Sequence, residues 1–144
     1  MVGLARSEVS FTIFQMDKAE QTRRWETAQE HRDAAQQLLT SGLYRACLSR
    51  SYYACFQAMW VAVGDPALGW WKHRGLIQNF CYAQWAVPAL PPTALAALYK
   101  RLLHLYDMRL DADYRATPVS QAQAQEAVDT ATQVFDVIKQ HKTF

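Results

Sequence analysis

The positions of the five prolines constrain the fold of this 144-residue chain more than any other feature. They are confined to three short stretches, at Pro66, at residues 88–92 and at Pro118. Proline cannot donate a backbone hydrogen bond and clashes with the preceding helical turn, so helices are expected in the long proline-free stretches. These stretches carry apolar residues at intervals of three and four. The sequence therefore predicts an all-α fold, an up-and-down bundle of four long helices plus one short helix.

Residues typical of helix ends, together with apolar faces, predict where the first two helices lie. The first is expected to begin near Asp17, whose spacing to Glu20 resembles a capping box, and to end at Ser41 and Gly42. The second is expected to cover about 43–63. Small side chains recur on it at helical spacing, at Cys47, Ser51, Ala54, Ala58 and Ala62. Because small residues let another helix approach closely, this pattern predicts the central helix of the bundle.

The remaining helices follow the same logic. Adjacent Trp70 and Trp71 lead into a short helix; one should cover the core, and the other could stack on a base or fill a dimer contact. The fourth helix has the most regular apolar stripe, at Leu95, Leu98, Leu102 and Leu105. Ser120 and Gln123 have the spacing of a capping box and predict the start of the last helix.

Chain length and composition predict one helical domain, at 17–142, after an N-terminal extension at 1–16. Residues 1–15 of this extension are expected to be dispensable for the fold and to lie outside the bundle core, or alternatively to form an arm that packs on a second protomer. The three cysteines, Cys47, Cys55 and Cys81, lack metal-ligand spacing and are interpreted as reduced core thiols. No apolar run is long enough to predict a transmembrane helix and no signal peptide is recognisable, so we expect a cytoplasmic protein away from membranes.

Charge is distributed unevenly along the chain although the formal net charge is only +2. Residues 42–115 contain eight Lys or Arg and four Asp, and the acidic residues outnumber the basic ones in the flanks. Two interpretations stay open, a basic patch that binds phosphates or solvated helix faces.

Arg109 is the most informative polar residue, because the leucine stripe of the fourth helix reaches it after one more step. A buried guanidinium needs acceptors. One interpretation is an ion pair with Asp113, four residues on, that closes the end of the bundle. The other is a guanidinium held at the edge of a cleft and available to a phosphate.

Three sequence runs resemble the signature of the HEPN domain family. They are GLYRA and SRSYYACF at 42–56, KHRG at 72–75 with Phe80 beyond, and RLDADY at 109–114. Their order and spacing match, and the similarity covers about 17–139. The resemblance implies a helical bundle that dimerises around a cleft near the arginine. It also implies a partner, since many members are encoded beside a minimal nucleotidyltransferase in toxin–antitoxin-like pairs.

The resemblance also suggests a ribonuclease activity. Numerous members of the family cleave RNA without a metal ion, using an arginine and a histidine that follows it four to six residues later. Here Tyr114 stands in that interval and no histidine does. Tyrosine titrates near 10 and is a poorer proton-transfer group at neutral pH than histidine. Two candidates remain for proton transfer beside Arg109: Tyr114, and His73 if the short helix brings it to the same end of the bundle. A purely structural role for His73 is the alternative.

Other candidate contacts to RNA or a nucleotide are Arg50, Lys72, Arg74 and Asp113; Arg50 could instead pair with a partner helix or with Asp113. Neither a cofactor nor a metal is expected. The eighteen aromatic residues favour a homodimer that buries some of them. Three hypotheses follow: an RNA- or nucleotide-recognising partner of a minimal nucleotidyltransferase, a metal-independent ribonuclease, or a structural helical adaptor.

Overall fold

The computed structural model describes residues 13–14, 16–82 and 90–141, and within them five helices form an all-α bundle. This confirms the predicted fold class. The helices are α1 (Lys18–Thr40), α2 (Tyr44–Val63), α3 (His73–Tyr82), α4 (Pro92–Tyr114) and α5 (Gln121–His141). Among the described helices, none is long and apolar enough to cross a membrane.

The central helix is α2, as its stripe of small residues predicts. It packs against all four other helices. Every member of the small stripe is buried, and the larger neighbours Leu48, Tyr52 and Met59 are fully buried beside it. Because side chains on nearly all sides of α2 are covered, this helix fixes the positions of the others.

The stripe of α4 is buried along its whole length, and it ends on a charged residue. All four leucines face the core, and Arg109, one step further on, is only 4 % exposed. The periodicity of this helix therefore located the one arginine that the described core contains.

The join between α1 and α2 is a Schellman motif. Gly42 has a φ of +78°, a left-handed conformation that costs glycine nothing. The Leu43 amide donates to the Leu38 carbonyl at 2.9 Å, and the Gly42 amide donates to the Leu39 carbonyl at 3.1 Å. This tight reversal lays α2 back along α1.

The two predicted capping boxes differ in the structure. At α5 the box is complete: the Gln123 amide donates to Ser120 Oγ at 3.1 Å, and the Ser120 amide donates to Gln123 Oε1 at 2.9 Å. At α1, Asp17 occupies the N-cap position, but its side chain makes no capping hydrogen bond to the described residues. Glu20 instead pairs with Arg24 at 3.3 Å. The expectation of a capping box at α1 was therefore wrong.

This difference predicts unequal effects of two equivalent substitutions. Ser120→Ala should lower the free energy of unfolding by about 1 kcal/mol, because it removes one of two reciprocal hydrogen bonds at the start of α5. Asp17→Ala should cost clearly less, since only its charge near the helix dipole is lost. Urea unfolding of both variants at pH 7 measures the difference. Equal losses would show that the two helix starts are capped alike.

The N-terminal extension touches the bundle where it is described. Ile13–Phe14 (β1) pairs antiparallel with Asp65–Pro66 (β2), with Ile13 opposite Pro66. Met16 is 6 % exposed and belongs to the core cluster. The dispensability of residues 1–15 stays a prediction, and most of that segment lies outside the described residues.

The three cysteines are free and buried, which confirms the prediction of core thiols. Burial raises the pKa of Cys55 and of Cys81 to about 12 in each case, and it also raises that of Cys47. The thiols therefore stay protonated at neutral pH and pack as small apolar groups.

Candidate functional site

The guanidinium of Arg109 is buried at the end of α4 with part of its hydrogen-bonding capacity unused. Its Nε donates to Asp113 Oδ2 at 3.4 Å, so the predicted pair with Asp113 is present. Its Nη1 is buried and has no hydrogen-bond partner among the described residues. An unsatisfied buried donor on a cation is costly, and an anionic acceptor would remove that cost.

Three tyrosine rings surround the guanidinium. The Arg109 Cζ lies 5.2 Å from the ring centroids of Tyr52 and Tyr53 on α2, and 5.7 Å from that of Tyr114. Burial lowers the pKa of Arg109, but Tyr114, Tyr53, Tyr52 and Asp113 outweigh that effect, so the pKa stands above its usual value. The aromatic faces thus hold a permanent positive charge in a partly dry setting.

Asp113 holds the Arg109 guanidinium in place through one of its three nitrogens. Its Oδ2 accepts both from Arg109 Nε and from Ser49 Oγ of α2, the latter at 3.2 Å. The contact is made through a single nitrogen rather than through the fork of the two terminal nitrogens. Asp113 therefore fixes one side of the guanidinium, while Nη1 stays buried and without a partner among the described residues.

His73 is the first residue of α3 and lies in the same aromatic cluster. Its Nδ1 is 2.5 Å from the Tyr52 hydroxyl, and its ring stacks on Tyr106 with centroids 5.2 Å apart. The Tyr52 ring thus contacts both His73 and Arg109. The structure brings His73 to the Arg109 end of the bundle, as the hypothesis of a proton-transfer role requires. The role itself stays a hypothesis.

Burial lowers the pKa of His73 below its usual value of 6.5, and the positive charge of Arg109 lowers it further. The unfolded chain therefore takes up a proton at a higher pH than the folded one, and stability is lost as pH falls through 6.5 toward the folded pKa. We expect the urea midpoint to fall on acidification from pH 7.5 in the wild type and to fall less in His73→Gln. Burial lowers the pKa of His31 too, so His31→Gln should also reduce the fall, and His141→Gln, at an exposed position, is the control. An unchanged pH profile in His73→Gln would contradict the burial of a neutral imidazole.

The other predicted residues lie at different distances from this cluster. Tyr114 ends α4 and is 74 % exposed, although its ring contacts the guanidinium. Arg74 is exposed, pairs with Asp107 at 3.2 Å and lies over the Tyr106 ring at 5.4 Å, beside His73. Lys72 is exposed just before α3.

Arg50 does not make the contact that was considered for it. The residue of α2 that reaches Asp113 is the neighbouring Ser49, while Arg50 is exposed. Successive residues on a helix point about 100° apart, so only one of the two can face α4. The positive charge of Arg50 acts instead on His31: burial lowers the pKa of His31, and the charge of Arg50 lowers it further.

Sequence reasoning missed Arg45, which fixes the end of α4. Its guanidinium donates to the backbone oxygen of Ala112 and, at 3.3 Å, to that of Ala116. Ala116 has a φ of +54°, an uncommon conformation for a residue with a side chain. A cation at a helix C-terminus satisfies open carbonyls and opposes the helix dipole. The signal was present, since Arg45, Ser49 and Tyr52 share one face of α2.

Acidic, histidine and cysteine side chains do not gather here into a metal site. In the described parts of the chain no three such residues are grouped so that they could hold a metal ion. The chemistry that the described side chains offer is that of a buried cation, a neutral imidazole and phenolic hydroxyls.

A family model described as HEPN domain matches residues 22–141 of this chain. The chain belongs to the HEPN family. The matched range takes in most of α1 and all of α2 to α5, and therefore every residue of the cluster around Arg109. The family resemblance of the three sequence runs is confirmed.

A curated relative of this HEPN protein is the putative toxin MJ0605 of Methanocaldococcus jannaschii. The two are 28 % identical over 115 residues, which are 79 % of this chain and 82 % of the relative. The similarity thus spans most of both proteins.

Proposed function

We propose that this HEPN protein is the RNA- or nucleotide-recognising component of a toxin–antitoxin-type pair, and that Arg109 binds the phosphate of its ligand. One observation carries the proposal: Nη1 of Arg109 is a buried cationic donor without a partner among the described residues. Membership of the HEPN family and the toxin name of the relative support the role in such a pair.

A phosphodiester fits the vicinity of Arg109 for physical reasons. The guanidinium is planar, always charged and suited to phosphate oxygens. Its aromatic walls exclude water, which strengthens a charge-assisted hydrogen bond. Lys72, in the loop before α3, adds positive charge, and Arg74, which pairs with Asp107, is exposed beside it. Exposed cations of this kind attract a polyanion to the site before the buried guanidinium engages one phosphate.

The binding experiment uses a fluorescein-labelled oligoadenylate of about eight nucleotides, within the usual range of single-strand site sizes. We expect a saturable rise in anisotropy at low salt and an affinity that falls as salt is raised, because bound counterions are released from the RNA. Bovine serum albumin at the same concentration is the control for non-specific effects. Absence of saturable binding at low salt would contradict the proposed function.

A metal-independent ribonuclease is the second candidate, and the position of His73 favours it. In that reaction the ribose 2′ oxygen attacks the adjacent phosphorus and the bond to the 5′ oxygen breaks, leaving a 2′,3′-cyclic phosphate and a 5′ hydroxyl. The attacking 2′ hydroxyl gives its proton to a base, for which the neutral imidazole of His73 is suited. The leaving 5′ oxygen takes up a proton from an acid, either the imidazolium so formed or the Tyr114 hydroxyl. Arg109 would stabilise the charge that builds on the phosphate oxygens.

Cleavage is tested with end-labelled RNA in the presence of EDTA. If His73 transfers a proton, His73→Ala should abolish cleavage and leave the affinity for RNA within a few-fold of wild type. If Tyr114 does so, Tyr114→Phe should have that effect instead. RNA that stays intact with the wild-type protein would exclude the ribonuclease and leave recognition as the function.

We propose two protein partners, a second copy of this chain and a minimal nucleotidyltransferase. Exposed apolar side chains offer surface for such contacts, namely those of Leu43, Tyr82 and Tyr114. Light scattering at tens of micromolar tests the dimer, and a monomeric mass would contradict it. The gene beside this one tests the second partner: a nucleotidyltransferase there that co-purifies with this chain is the expected result.

A further inference from the structure

Trp70 is an exposed indole that the cluster around Arg109 does not use. It lies between β2 and α3 and is 78 % exposed, whereas the adjacent Trp71 is buried and donates from Nε1 to the Gly64 carbonyl at 2.7 Å. One tryptophan covers the core, as predicted. The Trp70 ring packs against Trp60 in a T-shaped arrangement with centroids 5.9 Å apart, and its exposed fraction leaves most of the indole accessible for stacking.

A continuous line of rings connects Trp70 to Arg109. From Trp60 it passes to Phe56 at 5.8 Å, to Tyr52 at 6.2 Å and to the Arg109 guanidinium at 5.2 Å. Four such steps place the two ends within about 25 Å of each other. The rings that contact the two ends, Trp60 and Tyr52, are eight residues apart on α2, which corresponds to a rise of roughly 12 Å.

The segment that carries Trp70 is basic in sequence. Residues 66–82 contain Lys72 and Arg74 and no acidic residue, and Arg74 is paired with Asp107 of α4. Both cations are exposed, within four positions of Trp70 in the sequence. Single-stranded nucleic acids are bound by accessible aromatic rings that stand beside positive charges. The rings stack on bases, and the cations contact the phosphate backbone. Trp70, the neighbouring cations and the buried Arg109 provide these groups.

We propose that Trp70 stacks on an unpaired base of a single-stranded RNA whose phosphate, a few nucleotides away, is bound by Arg109. The inference rests on the proposed function and adds to it the strandedness and the minimum length of the ligand. A duplex cannot present a base face to Trp70, since its bases are stacked inside the helix. Stacking tolerates any base, so recognition at Trp70 depends on length more than on sequence.

The test compares a long and a short probe: the fluorescein-labelled oligoadenylate of about eight nucleotides, which spans both ends, and the dinucleotide ApA, which reaches only Arg109. Trp70→Ala should weaken binding of the long probe about 5-fold to 100-fold, from the loss of one stacked base. Binding of ApA, measured by competition, should change less than twofold. Trp70→Phe should restore most of the affinity. Leu68→Ala is the matched control, because Leu68 lies in the same loop and is 89 % exposed.

The outcomes separate this inference from the function on which it rests. If Arg109→Ala weakens binding of the long probe and Trp70→Ala does not, the inference is overturned and the proposed function stands. If Trp70→Ala and Leu68→Ala both lower the molar mass in light scattering and weaken both probes alike, the loop is a contact between copies and the inference is overturned. If the wild type binds neither probe, both proposals fail.

Discussion

Arg109→Ala is expected to lower the affinity for the long oligoadenylate about tenfold to a hundredfold while the protein remains folded. A hydrogen bond to a charged group contributes about 1.5–3 kcal/mol, and each 1.4 kcal/mol is a factor of ten in affinity. The same substitution should lower the free energy of unfolding by about 1–3 kcal/mol, since it removes a side chain packed against three tyrosine rings. Anisotropy at 25 °C and urea unfolding give the two values.

Two further variants make the result specific. Arg109→Lys keeps the charge but loses the planar fork, so it should recover part of the stability and little of the affinity. Arg115→Ala is the matched control, because Arg115 is exposed and its pair with Asp111 spans 3.8 Å. It should leave both quantities almost unchanged. An Arg109→Ala protein that unfolds and binds RNA like wild type would contradict both the structural and the ligand-binding role.

Phe135→Ala should be among the most destabilising single changes, lowering the free energy of unfolding by about 3–5 kcal/mol. Phe135 of α5 is fully buried and joins the last helix to the first. Its ring centroid is 5.0 Å from that of Trp25, and the guanidinium carbon of Arg32 lies 4.5 Å from it, both on α1. Since the free energy of unfolding of domains of this size is only about 5–15 kcal/mol, this substitution would remove a large part of it.

The measurement is the urea midpoint and slope of Phe135→Ala beside two controls. Phe135→Leu retains most of the apolar volume and should lose clearly less stability. Asp136→Ala alters the next, exposed residue and should change the free energy of unfolding by no more than about 0.5 kcal/mol. A Phe135→Ala protein that unfolds at the wild-type midpoint would show that α1 and α5 are not held together at this ring.

Much of the fold follows from local sequence patterns, because helices are encoded by periodicity and by their end residues. The leucine stripe of α4, the small stripe of α2 and the capping box of Ser120 are all features of one segment, and the structure confirms each. The pairing of Ile13 with Pro66 was not foreseen. Two residues of strand carry no periodicity, and their partner lies more than fifty positions away in the sequence.

The candidate site was predictable only in part, because several of its contacts join residues that are far apart in the sequence. Arg109 is buried because it continues a stripe, and that is visible in the sequence. The contact of Ser49 with Asp113 joins residues 64 positions apart, and that of Arg45 with Ala112 joins residues 67 apart. Such contacts depend on the register between α2 and α4. A shift of one residue rotates a helix by about 100°, which would have made Arg50 rather than Ser49 the neighbour of Asp113.

Arginine side-chain NMR provides the most direct test of whether the buried guanidinium binds phosphate. In ¹⁵N-labelled protein titrated with the oligoadenylate, we expect the Nε–H resonance of Arg109, assigned with the Arg109→Lys variant, to shift saturably with the affinity that anisotropy gives. The resonance of Arg101, whose Nη1 donates to Gln133 Oε1 at 2.5 Å, should not move. RNA that binds with the Arg109 resonance unmoved would contradict the assignment of Arg109 as the phosphate ligand.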